Sequence, residues 1–149
     1  MKTKDLTKEA PRSPRVRIRD YAILARAIDK CRAEMVGKAG EYHYDCPLDR
    51  TLFTFKGVTG EEFREQVKRR HTDEELGLWL DEHGIAKTPE EIQAWSDSME
   101  TYRLYNNLEK RESFVLECTR LGLNPAKTTL FEWLEADDRA SLPHSPVTV

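Results

Sequence analysis

Six consecutive residues of this sequence carry its densest group of side chains that could take part in chemistry: Glu41, Tyr42, His43, Tyr44, Asp45 and Cys46. A thiol and a carboxylate can act as a nucleophile and an acid–base group, so Cys46 and Glu41 are the candidate catalytic residues. Pro47 suits the first position of a helix, which would make Cys46 the N-cap. A helix N-terminus favours a reactive thiolate, whereas the negative charges of nearby aspartates act against one.

A second group of charged residues lies on the helix predicted just before this segment. Arg26 and Lys30 are one helical turn apart, and two cations so placed can bind a carboxylate or a phosphate. Asp29 follows Arg26 by three residues, which would allow the two side chains to pair. The alternative is a solvated helix face with weak surface ion pairs.

Together the two groups predict a polar pocket for a small, anionic molecule, in which Arg26 and Lys30 contact the ligand. The predicted ligand-binding residues are Arg26, Asp29, Lys30, Tyr42, Tyr44 and Asp49. Replacing Arg26 by alanine should then abolish binding with little change in melting temperature. The sequence names no cofactor. It predicts no metal site, because the spacing of His43, Asp45, Cys46 and Asp49 matches no standard ligand pattern.

The elements that must position these residues are predicted to be helices. Three Thr-x-x-Glu capping boxes, at Thr59, Thr72 and Thr88, mark helix starts, and Asp20 is expected to cap the first helix. Residues 51–56 form the one ambiguous window, either extended or part of a short helical turn after Pro47. Apolar periodicity gives helices near 20–38, 60–70, 73–83, 89–105, 108–121 and 127–137, with a possible break at Asn106-Asn107.

The predicted fold is therefore all-α: a single-domain bundle of five to six helices over 149 residues. Residues 1–19 are read as an extended basic arm, 20–138 as the helical core and 139–149 as a loose tail. No signal peptide and no bilayer-length apolar run is present. The three cysteines are far apart in sequence. These features predict a cytoplasmic protein without a membrane partner.

The charge is unevenly distributed along the chain. Residues 1–32 hold ten Lys or Arg and four Asp or Glu, a balance of +6, although the whole chain has a net charge of −3. We expect the basic arm to lie against the protein's own acidic surface. Contact with nucleic acid through the arm is a weaker alternative, because the pI is near 5.9. A non-catalytic protein-interaction module is the other alternative to a small-molecule site.

Three sequence segments resemble those of a small bacterial family catalogued only as a domain of unknown function. The segments are residues 5–14, 24–30 and 40–49, the last reading Gly-Glu-Tyr-His-Tyr-Asp-Cys-Pro-Leu-Asp. The resemblance covers essentially the whole chain and is closest over residues 5–49. It implies a small, stand-alone, largely helical cytosolic protein, and it supplies no activity, cofactor or catalytic residue.

Overall fold

The computed structural model describes residues 3–70 and 72–141, and every regular element within them is helical. The predicted all-α fold is confirmed, with seven α-helices in this part of the chain where five to six were expected. The elements are α1 (Leu24–Met35), α2 (Pro47–Lys56), α3 (Gly60–Arg69), α4 (Asp73–Glu82), α5 (Pro89–Thr101), a 3₁₀ helix (Leu104–Asn106), α6 (Arg111–Leu121) and α7 (Leu130–Ser141).

Three helices begin at the predicted capping boxes. The hydroxyls of Thr59, Thr72 and Thr88 each accept a hydrogen bond of 3.1 Å from the amide three residues later. The glutamate at that later position accepts a bond from the threonine amide in return. Each cap contributes about 1 kcal/mol, so local sequence alone fixes the starts of α3, α4 and α5.

The first helix starts later than predicted, and Asp20 is not its cap. The chain turns at residues 18–21, where Arg19 and Asp20 have φ angles of 48° and 66°, and α1 begins only at Leu24. The cause lies in α5. The buried hydroxyl of Ser96 donates to the Asp20 carbonyl at 2.6 Å and accepts from the Ala22 amide at 2.9 Å. A distant side chain therefore satisfies the backbone groups of this turn.

The ambiguous window at residues 51–56 is helical rather than extended. It continues the helix that starts after Cys46, so that the predicted short turn is in fact α2. Cys46 occupies the N-cap and Pro47 the first turn, as expected, and Gly57 ends the helix with a φ of 70°. Leu52 and Phe53 are buried against the core.

The C-terminal helices also differ from their predicted bounds. The helix α5 ends at Thr101, and the break at Asn106-Asn107 is present, between the 3₁₀ helix and the start of α6. The last helix begins at Leu130 and runs to Ser141, three residues beyond the predicted helical core. The rest of the predicted tail, residues 142–149, lies outside the described residues.

The helix α1 is the centre of the fold. Ten consecutive residues, 24–33, are buried, so the helix is enclosed on all faces and not only along its predicted apolar stripe. The helices α2, α3 and α4 pack against it. The enclosed residues include four charged ones, Arg26, Asp29, Lys30 and Arg32, and burial of charge requires partners.

The basic arm supplies part of this enclosure by folding onto acidic helices. Its arginines pair with carboxylates of four helices: Arg12 with Asp29 and Asp73, Arg15 with Glu135, Arg17 with Asp97 and Glu100, and Arg19 with Glu74 and Asp81.

No helix in the described part of the chain has the length and apolar character needed to cross a bilayer.

Candidate functional site

A cavity of about 270 Å³ opens between α1, the loop before α2, and α7. We call it the Lys30 cavity. It is lined by Arg26, Lys30, Glu41, Tyr42, His43, Cys46, Leu48, Leu134, Asp137 and Ser141. Five of these residues were predicted as ligand-binding or catalytic: Arg26, Lys30, Glu41, Tyr42 and Cys46. The structure thus brings the two sequence groups together in one place.

The loop that forms one wall is fixed at both ends by local backbone structure. After α1, the Lys38 amide donates to the Ala33 carbonyl at 2.8 Å, a helix-terminating bond of the Schellman type. Gly40 has a φ of 60°, and a Cβ there would lie only 2.9 Å from the Leu6 carbonyl oxygen, so glycine is required. At the other end, Cys46 occupies the N-cap position of α2, and Pro47 follows in its first turn.

Lys30 contacts both a carboxylate and a thiol at the cavity wall. Its Nζ lies 3.0 Å from Oδ2 of Asp49 and donates to Sγ of Cys46 at 3.1 Å. An ammonium has three N–H donors, and the third has no partner among the described residues. Because the Lys30 side chain is only 4% exposed, any acceptor that reaches this N–H would be bound out of bulk water.

Asp49 lies behind Lys30 and does not line the cavity. Its Oδ2 also accepts from the Asp45 amide at 2.9 Å, which ties the loop to α2. Burial raises the pKa of the Asp49 carboxyl, and the charge of Lys30 opposes that rise. Its other oxygen, Oδ1, is buried and has no hydrogen-bond partner in the described residues. Asp49 therefore holds Lys30 in position instead of contacting a ligand directly.

Arg26 does not pair with Asp29 as the sequence predicted. Its guanidinium binds both carboxylate oxygens of Asp138 on α7, at 2.8 and 3.0 Å. The Tyr42 hydroxyl donates to the same carboxylate at 2.8 Å. Burial is the main cause that raises the pKa of Tyr42, and the hydrogen bond to Asp138 raises it further. Asp29 instead accepts bonds from Arg12 in the arm, because Arg12 can bring both its amide and its guanidinium to that carboxylate.

Two other predicted ligand-binding residues lie away from the cavity. Asp29 is occupied by the arm, and the Tyr44 ring packs edge-on against Phe53, with 6.1 Å between ring centroids. The Tyr44 hydroxyl donates to the Gly60 carbonyl at 2.6 Å. The two loop tyrosines therefore have different roles, because the loop turns at residues 44–45, where an extended segment would place both on one side.

Cys46 is the accessible thiol of the three. Cys31 and Cys118 are fully buried, and burial raises the pKa of Cys31 to about 12. Cys46 is half-buried at the cavity wall, and Glu41 and His43 are exposed at its rim. The described residues include no group of three or more His, Cys, Asp or Glu positioned to hold a metal ion.

The contribution of α7 to the cavity was not predicted. The lining residues from this helix are Leu134, Asp137 and Ser141. Asp138 accepts hydrogen bonds from Arg26 and Tyr42. One signal in the sequence pointed this way: acidic residues at the C-terminal end of a helix oppose its dipole and need a cationic partner. Asp138 is paired with Arg26, and Asp137 accepts a hydrogen bond of 2.7 Å from Arg120.

The fold and the site define an all-helical protein in which a buried lysine and a half-buried thiol meet at the wall of a small cavity. The family model described as Domain of unknown function (DUF5069) matches residues 8–140, and the chain belongs to that family. A comparison with the curated proteins finds no match.

Proposed function

We propose that the protein binds a small molecule in the Lys30 cavity through an anionic group that accepts a hydrogen bond from the Lys30 ammonium. The observation that carries this proposal is the third N–H of Lys30, which is buried at the cavity wall and has no partner in the described residues. A ligand oxygen at this position would accept a charge-assisted hydrogen bond, which is stronger than one between neutral groups.

The roles of the other residues follow from their contacts. Arg26 is held by both carboxylate oxygens of Asp138, so it serves as a wall of the cavity more than as a direct ligand contact. The Tyr42 hydroxyl donates to Asp138, and its oxygen retains the capacity to accept from a ligand donor. Leu48 and Leu134 supply an apolar wall.

The cavity also offers groups for a reaction on the bound molecule. The Cys46 sulfur accepts a hydrogen bond from Lys30 at the N-terminus of α2. Glu41 lines the same cavity as a candidate acid–base group. In a reaction on the bound molecule, Cys46 would be the nucleophile and Glu41 the acid–base group.

The two alternatives from the sequence have less support in the contacts. The arm arginines that a nucleic acid would need are already paired with the protein's own carboxylates. Large exposed apolar side chains occur on several elements, with Leu116 on α6, Val36 after α1 and Leu78 on α4. The paired arginines do not favour nucleic-acid binding over the cavity. The exposed apolar side chains, spread over several elements, do not favour a protein-interaction surface over it.

A thermal-shift experiment tests the proposal. Wild-type protein would be heated with acetate, butyrate and inorganic phosphate, beside the cavity-filling variant Leu134→Trp and the matched surface variant Leu116→Trp. A probe at a hundred times its Kd should stabilise the wild type and Leu116→Trp by about 2.7 kcal/mol. Leu134→Trp should show no stabilisation. If no probe stabilises the wild type, or if Leu134→Trp responds equally, the proposed site is wrong.

A further inference from the structure

A second cavity, of about 380 Å³, adjoins the Lys30 cavity. We call it the apolar cavity. It lies between the start of α2, the end of α5, the 3₁₀ helix and the start of α7. It is lined by Pro47, Leu48, Thr51, Met99, Tyr102, Leu104, Lys110, Leu130 and Leu134. Among the described residues that line it, the one charged residue, Lys110, is exposed.

The two cavities share two lining residues. Leu48 and Leu134 line both of them, so the Lys30 cavity and the apolar cavity lie on either side of this leucine pair. Both side chains are only half-buried and pack against the hydrophobic core. A chain-like molecule that occupies both cavities would therefore cross this leucine pair.

The chemistry of the lining side chains changes from the Lys30 cavity to the apolar cavity. One end presents the buried Lys30 ammonium with an N–H that has no described partner. The other end presents aliphatic side chains and Met99, whose flexible thioether adapts to ligands of varied shape. The Lys30 cavity, at about 270 Å³, falls below the range of roughly 300–1,000 Å³ typical of ligand pockets, whereas the apolar cavity, at about 380 Å³, falls within it.

We propose that the two cavities hold one amphipathic monocarboxylate, a medium-chain fatty acid. Its carboxylate accepts from Lys30 beside Cys46, and its chain crosses Leu48 and Leu134 into the apolar cavity. This inference rests on the proposed function, since it assigns the class of ligand for the same Lys30 site. It adds that affinity comes from the length of the chain as well as from the charge.

Calorimetric titration with butyrate, hexanoate, octanoate and decanoate, all below their micelle concentrations, tests the inference. Each added methylene that enters the apolar cavity should tighten binding by about fourfold. A wild-type series in which octanoate binds no tighter than butyrate overturns the inference and leaves the proposed function standing. A series in which none of the acids binds overturns the inference as well, and phosphate or acetate binding in the thermal-shift experiment then decides the proposed function.

Two variants test the direction in which the ligand lies. Leu104→Trp fills the apolar cavity only, so it should retain butyrate binding and lose the gain with chain length. Lys110→Ala removes the cation at the far rim and should bind octanoate as the wild type does. If Lys110→Ala weakens octanoate tenfold or more, the carboxylate lies at the wrong end for this proposal. Circular dichroism of each variant confirms that it is folded.

Discussion

The ammonium of Lys30 lies 3.1 Å from the sulfur of Cys46, and this contact joins α1 to the loop that forms the other wall of the cavity. Neither residue is near the other in sequence, yet both were candidates for a functional site. The contact places a cation, a thiol and a cavity together.

Lys30 should be essential to stability because its removal leaves Asp49 buried without a cation. Lys30→Met is expected to lower the free energy of unfolding by about 3–5 kcal/mol, measured by urea denaturation at pH 7. The double variant Lys30→Met/Asp49→Leu removes both charges and should recover most of that loss. A loss below about 1 kcal/mol in the single variant would show that the pair is not buried as described.

Arg26 should also be structural, in contrast to the expectation from sequence that its removal leaves stability almost unchanged. Its side chain is 4% exposed and its partner Asp138 is 10% exposed. Arg26→Ala should lower the free energy of unfolding by about 3–5 kcal/mol. Lys68→Ala, which breaks the exposed pair with Glu65, is the control and should change it by less than about 0.5 kcal/mol. Similar effects for the two variants would contradict the Arg26–Asp138 contact.

Ser96 should hold the turn that delays the start of α1. Ser96→Ala removes a buried hydroxyl that bonds to both the Asp20 carbonyl and the Ala22 amide. We expect a loss of about 1–3 kcal/mol in the free energy of unfolding, because both backbone groups lose their partner. Ser98→Ala, an exposed serine on the same helix, is the matched control. An equal, small effect of both substitutions would mean that the turn does not depend on Ser96.

The contact between the arm and α7 should be lost in acid. Hydrogen bonds from Arg15 and Ser13 lower the pKa of Glu135 from its usual 4.5. A carboxyl whose pKa is lowered by folding contributes stability above its unfolded pKa, and this contribution is lost as the pH falls through the folded value. Wild-type protein should therefore be more stable than Glu135→Gln at pH 7, and the difference should shrink below pH 4.5. A difference that is constant with pH would argue against the contact.

Much of the helical framework could be predicted because its signals are local. A threonine with a glutamate three residues later can cap a helix start through local contacts alone, and the caps at Thr59, Thr72 and Thr88 formed as expected. The start of α1 could not be predicted from Asp20, because Ser96, far along the chain, bonds to that turn.

The candidate site was predictable only in part for the same reason. Lys30 and Cys46 were found from the chemistry of their side chains, each within a local cluster of reactive residues. The pairing of Arg26 was wrong, because the choice among carboxylates depends on which helix packs above α1, and Asp138 is more than a hundred residues away. The apolar wall at Leu134 depends on the same packing.

The most direct test of the account is protection of Cys46 against alkylation. Cys46 is half-buried at the cavity while Cys31 and Cys118 are fully buried, so iodoacetamide should modify Cys46 first, as followed by peptide mass spectrometry. The acid that gives the largest thermal shift, added at a hundred times its Kd, should slow that modification about a hundredfold. If this acid stabilises the protein but Cys46 reacts at its unprotected rate, the ligand does not bind in the Lys30 cavity and the account is wrong.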